Sequence, residues 1–145
     1  MTTAHEIVSF WRDAGPERWF GGGDSFDAQC RERCLEAHFR AARREFEDWA
    51  AQPEGALALV LLLDQIPRNV FRRSGHAYAT DPLARHYAHR ALELFGRLPA
   101  GADRWAKHHH EIIRRFGRFP HRNAPLGRES TREEREFLAQ GGFSG

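Results

Sequence analysis

The chain has 145 residues, the length of one domain, and a chain of that size buries roughly 68–70% of its unfolded surface, enough for a real core. Hydrophobic residues at 41% and charged residues at 29% exclude a disordered chain and predict a soluble globular one. The formal net charge of +2 is too small to argue for a nucleic-acid partner, and the basic residues are spread along the chain rather than gathered into a tail.

The first stretch, MTTAHEIVSFWRDAG, has no basic region leading into an apolar one, so no signal peptide is predicted and the expected location is cytoplasmic. Residues 4–13 read as a short helix with Ile7, Val8, Phe10 and Trp11 on one face. Gly15-Pro16 is read as its end. Gly21-Gly22-Gly23 reads as a turn, because it lacks both the flanking strand of a dinucleotide fingerprint and the lysine of a phosphate loop. A second helix is expected from a cap at Asp24 or Ser25 to about Trp49. Its apolar positions include Cys30 and Cys34, the only two cysteines. Two thiols one helical turn apart are awkward for a disulfide and incomplete as a zinc site, so they read as buried free thiols.

Pro53-Glu54 opens the central helix. From Ala56 to Leu63 it is apolar all round, which predicts a buried helix, and the run is far short of the roughly 20 residues of a membrane span. Asp64 and Gln65 follow, and Pro67 is expected to stop the helix at Ile66. Asp64 is thus a carboxylate beside a core, in need of an arginine partner. Thr80-Asp81-Pro82 predicts a further helix start. Another helix is expected from about Ala102 to Phe116, ended by Gly117, with His109 on its apolar stripe. RFPHRNAPLGR reads as an irregular loop, Ser130 or Thr131 as the cap of a last short helix, and residues 141–145 as a flexible tail. No segment alternates long enough for a strand. The expectation is a single all-α domain over 1–145, with about six helices in stacked antiparallel hairpins.

Two pieces of the chain share a pattern: Pro67-Arg68-Asn69 and Pro120-His121-Arg122-Asn123, which hold its only asparagines. Asparagine suits turns, so both read as helix-stop motifs satisfying loose carbonyls. If the two corners meet, Asp64, Gln65, Arg68, Asn69, Arg118, His121, Arg122, Asn123 and Arg128 line one pocket in which guanidiniums outnumber carboxylates. That surplus suits a small anion or a peptide carboxylate. The competing readings are a salt-bridge network that clamps a long loop, and an enzyme with His109 or His121 as general base and Arg68 or Arg122 stabilising negative charge. The nine histidines form no metal-ligand spacing, and no metal or cofactor is expected. The early aromatics lack a matching basic stripe, so no nucleic-acid partner is expected.

LLLDQIPRNVFRRSGHAYATDPLAR and IIRRFGRFPHRNAPLGRESTREEREFL resemble the two signature regions of the bacterial domain-of-unknown-function family 924, and FWRDAGPERWFGGGDSFDAQ is similar to that family's start. The resemblance implies a tetratricopeptide-like helical fold and no particular reaction. It places family motif positions at Asp64, Gln65, Pro67, Arg68, Asn69, Phe71 and Asp81. It continues them at His109, Gly117, Arg118, Phe119, Pro120, His121, Arg122, Asn123, Leu126, Gly127 and Arg128. Relative to the family pattern, a segment of about one helical hairpin is missing between the Asp81 helix and the His109 helix.

Overall fold

The structure is a computed structural model that describes residues 2–95, 111–112 and 114–142. The expected His109 and most of its helix lie outside the described residues, as do residues 143–145 of the expected tail. The described residues are helices and turns, with no strand among them. They fall in two compact units: Met1–Arg72 with His76–Gly96, and Arg73–Gly75 with Arg97–Gly145.

The first unit begins with α1 (Ala4–Gly21), capped by Thr3 and Glu6 in a reciprocal capping box. Gly15 interrupts it as expected: at φ 76, ψ 167 its backbone is not helical, and the span is two helical stretches that meet across a kink there, the second opening with Pro16. The proline sits where its missing N–H costs little. The second helix, α2 (Gly23–Ala42), starts without a side-chain cap, so Asp24 lies inside its first turn rather than capping it. It also stops well short of Trp49, because Arg44 takes the left-handed conformation (φ 63). Glycine is the usual residue there. Arg44 is held by a two-pronged ion pair to Glu47 at 2.9 and 3.0 Å, and the Tyr87 hydroxyl donates to the same carboxylate.

A 3₁₀ turn (Glu47–Ala51) leads into α3 (Pro53–Val60). A Cβ on Gly55 would lie 2.1 Å from the Trp49 carbonyl oxygen, so only glycine lets that turn fold onto α3. Helix α3 packs on α1, on the 3₁₀ turn and on α5 (Asp81–Phe95). Ala56, Ala58, Leu59, Leu62 and Leu63 are fully buried, while Leu57, Val60 and Leu61 are half-buried, so the apolar run is buried on most sides rather than all round. Each buried leucine stabilises the fold by roughly 1.5–3 kcal/mol. Cys30 and Cys34 are free thiols in the same core.

Pro67 does not stop the central helix. A single π turn (Leu61–Gln65) follows α3, with the Ile66 N–H reaching back to the Leu61 carbonyl. Helical backbone then continues as α4 (Ile66–Val70), which packs against α2. Pro67 sits at its first turn, where a missing N–H is tolerated. Proline's restraint on the preceding residue is a bias, and tertiary packing of fully buried Ile66 overrides it here.

In the second unit, residues 111–112 and 114–116 are helical, and Gly117 (φ 71) follows them. A 3₁₀ turn (Pro120–Arg122) lies within the expected loop, and α6 (Arg132–Ala139) closes the chain. Thr131 caps α6 with Glu134 in a second capping box. The first two tail residues are tied to that helix: the Gly141 and Gly142 N–H groups donate to Leu138 and Phe137 carbonyls.

Candidate functional site

The predicted site residues Asp64, Gln65, Arg68 and Asn69 belong to the first unit. The π turn and α4 set their positions. Arg68 points its fork at Asp81, with Nη1–Oδ1 at 2.8 Å and Nη2–Oδ2 at 3.0 Å. Its Nη1 also donates to the Asp64 and Ala77 carbonyls at 2.6 and 3.1 Å, and Nη2 lies 3.3 Å from the Asp64 carboxylate. The Tyr78 ring lies under the guanidinium at 5.1 Å. Burial works against the Arg68 charge, but the Asp81 fork and the Asp64 carboxylate outweigh it and hold its pKa above the usual arginine value. Thr80 completes this corner. Pro67 has no N–H to offer the carbonyl four residues earlier, and the Thr80 hydroxyl donates to that carbonyl, Leu63 O, at 2.6 Å.

Asn69 is buried, and its amide donates to Asp27 Oδ1 at 2.8 Å. Gln65 donates to the Asn69 oxygen at 3.2 Å. Arg72 forks onto the same Asp27 at 2.7 and 2.8 Å, and Arg31 donates to the Val70 carbonyl. Burial disfavours the Asp27 charge; the Arg72 fork and the Asn69 amide overcome it and keep the carboxyl below its usual range.

Arg118, His121, Arg122, Asn123 and Arg128 belong to the second unit. The chemistry of the first motif recurs there. Arg118 forks onto buried Glu134 at 3.0 and 2.7 Å and donates to the Glu129 carbonyl at 2.8 Å. The amide of buried Asn123 donates to Glu134 Oε2 at 2.9 Å and to Ser130 Oγ at 3.1 Å. With Arg118 first, then Asn123 and Thr131, these donors hold the Glu134 carboxyl down to about 2 against the effect of burial. In both motifs, then, the asparagine amide serves a carboxylate that also takes an arginine fork. Neither asparagine side-chain amide is spent on a loose carbonyl.

Phe119 gathers the remaining three. Its carbonyl accepts from the Arg122 N–H at 3.1 Å and from Arg128 Nη2 at 3.2 Å. Its ring lies under the Arg122 guanidinium at 4.7 Å and 5.8 Å from the His121 ring. Arg128 is half-buried and forms no ion pair among the described residues. Its Nε is sealed from solvent with no hydrogen-bond partner, as is Asn123 Oδ1.

Sequence reasoning missed Asp27, Glu134 and His38. Asp27 and Glu134 were legible only as helix-face or capping-box acids. His38 is fully buried on the Cys30–Cys34 face, one turn on. Its Nδ1–H donates to the Leu62 carbonyl at 2.8 Å, and its Nε2 is buried without a partner. Burial pushes its pKa below the usual histidine value, nearby His76 adds to that, and the Leu62 bond opposes it. The described residues hold no cluster of three or more metal-ligating groups. No described helix is long and apolar enough to cross a membrane.

The family model for a bacterial protein of unknown function, DUF924, matches residues 7–97 and 97–142. The chain belongs to the DUF924 family. The two matched parts of the family model meet at residue 97, within the stretch where the sequence runs directly from one expected helix to the next. The DUF924 chain is also similar to a solved structure, the protein of unknown function ATU0120 from Agrobacterium tumefaciens. The identity is 40%, over 95% of this chain and 97% of that one, with a TM-score of 0.86. No curated protein matches the chain.

Proposed function

We propose that this DUF924 protein is a binding module that holds a small anion or a peptide carboxylate on the Phe119–Arg128 loop. The observation that carries the reading is Arg128. A half-buried guanidinium with no carboxylate among the described residues is costly in the free protein. An anion would remove that cost, and arginine's fork suits carboxylate or phosphate. Arg122 and His121, gathered with Arg128 around Phe119, would add donors.

The other members of the predicted site support a structural role. Arg68 and Arg118 each give a two-pronged bond to a buried carboxylate, Asp81 or Glu134. In this reading they clamp the motif turns and leave ligand binding to the loop. We infer a cytoplasmic location, supported by two free thiols that burial raises to about 12 at Cys30 and about 11 at Cys34.

Thermal unfolding against inorganic phosphate, citrate and a short peptide with a free C-terminal carboxylate tests the reading. A ligand bound only by the folded state, at a hundred times its Kd, stabilises by about 2.7 kcal/mol. The expected result is a midpoint several degrees higher for wild type with at least one of these ligands and no rise for Arg128→Gln. Equal shifts in both proteins, or none in either, would overturn it.

A further inference from the structure

Ser9, His5 and Glu54 form a chain of hydrogen bonds in the first unit, and none of them is among the predicted site residues. Helix α1 places His5, Ser9 and Arg12 at i, i+4 and i+7, so the three share one face. Helix α3 packs on α1 and brings Glu54, in its first turn, to the same place. Glu54 Oε1 lies 3.0 Å from His5 Nδ1, and His5 Nε2 lies 3.3 Å from Ser9 Oγ. An ionised carboxylate can only accept, so Glu54 fixes the ring proton on Nδ1 and leaves the Nε2 lone pair facing the serine hydroxyl. The sequence of groups is nucleophile, base and orienting carboxylate, an arrangement recognised by geometry and role rather than by position in a chain.

Two further observations fit that arrangement to chemistry. Arg12 Nη2 donates to Ser9 Oγ at 3.3 Å, while its Nε faces Asp13 at 3.4 Å. A guanidinium N–H that close to the nucleophile is placed to meet the oxyanion that forms beside it. His5 and Ser9 also line an open groove of about 800 Å³ along α1 and α2, which gives a substrate access to the serine. The groove carries Glu6 and Asp13 as well as Arg18 and Arg33, so it favours no net charge in what it holds.

We propose that Ser9 is the nucleophile of an esterase site acting on small uncharged carboxylic esters, with His5 as general base, Arg12 as oxyanion donor and Glu54 as the positioning residue. Ser9 Oγ bonds to the ester carbonyl carbon as its proton passes to His5 Nε2. The carbon–alkoxy bond then breaks, and His5 gives the proton to the leaving alcohol. Water, deprotonated by His5, hydrolyses the acyl-serine, which releases the acid and restores Ser9. The site shares no residue with the Phe119–Arg128 loop and does not depend on it.

The test is covalent labelling of the full chain with a fluorophosphonate, read by peptide mass spectrometry, beside release of p-nitrophenol from p-nitrophenyl acetate. Attack by Ser9 on the probe forms an Oγ–P bond and expels fluoride. The proteins are wild type, Ser9→Ala, His5→Gln and Glu54→Gln. His5 and Glu54 are exposed and Ser9 is half-buried, so the variants are expected to keep the wild-type circular dichroism and unfolding midpoint. The expected result is a label on Ser9 that forms about a hundredfold more slowly in His5→Gln. Wild-type p-nitrophenol release is expected to exceed the Ser9→Ala background left by the other histidines, and Glu54→Gln to lower kcat with KM unchanged. No label on Ser9, a labelling rate that His5→Gln leaves alone, or ester hydrolysis equal in wild type and Ser9→Ala would overturn the proposal. A Glu54→Gln protein with the wild-type kcat would overturn the positioning role.

Discussion

Arg68 and Asp81 meet fork to fork, Nη1 on Oδ1 at 2.8 Å and Nη2 on Oδ2 at 3.0 Å, and so tie α4 to the start of α5. The Asp81 side chain is 11% exposed and that of Arg68 22%. Removing the arginine would take its two-pronged partner from a carboxylate that water hardly reaches. Arg68→Ala is expected to cost about 3–5 kcal/mol, the usual range for breaking a buried pair. Arg68→Lys keeps the charge but not the fork and is expected to fall between. Urea unfolding curves of the three proteins check the order.

Gly55 carries a packing contact that no other residue can make. A Cβ there would sit 2.1 Å from the Trp49 carbonyl oxygen and 2.9 Å from the Trp49 Cα, both rigid backbone. Gly55→Ala is therefore expected to destabilise by about 1–3 kcal/mol, although alanine is the better helix former. A midpoint equal to or above wild type would show that the 3₁₀ turn does not rest on α3 as described.

Glu134 gives acid sensitivity with a definite sign. Its carboxyl is held down to about 2 from an ordinary value of 4.5. The unfolded chain takes up this proton first as pH falls. The stability it contributes is full above pH 4.5 and is lost as pH falls toward 2. Glu134→Gln should unfold more readily at neutral pH and lose this part of the pH dependence, measured as the difference between the two stability profiles.

His38 acts in a higher window. Burial lowers its folded pKa from an ordinary value of 6.5, and its Nε2 has no acceptor to receive a proton's hydrogen bond. Folding therefore favours the neutral ring. Its contribution is full above pH 6.5 and falls as pH drops below that value. His38→Gln is expected to flatten the slope of stability between neutral and mildly acid pH relative to wild type.

The helical class and the buried run at Ala56–Leu63 were legible because periodicity and apolar length report burial directly. The last helix was legible because Thr131 and Glu134 spell a capping box. The end of α2 was not: it rests on Arg44 in a left-handed conformation, where no glycine marked the stop. The continuation through Pro67 was hidden too, because it depends on a π turn and on packing against α2. At the motifs, the sequence marked Arg68, Asn69, Arg118 and Asn123 but not their carboxylate partners, nor Arg72. Asp27 meets Asn69 and Arg72 from more than forty residues away, and such pairings leave no local signature.

The central claim is a division of labour between Arg68, which clamps, and Arg128, which is held ready for an anion. The most direct measurement is urea unfolding of Arg68→Ala and Arg128→Gln beside wild type, with no ligand and in a buffer free of phosphate and carboxylate. Removing Arg68 takes the two-pronged partner from nearly buried Asp81, whereas removing Arg128 takes away a charge that has no ion-pair partner among the described residues. The account predicts that Arg128→Gln changes stability by less than about 1 kcal/mol while Arg68→Ala loses several. An Arg128→Gln protein as destabilised as Arg68→Ala would contradict it, because Arg128 would then be a clamp as well.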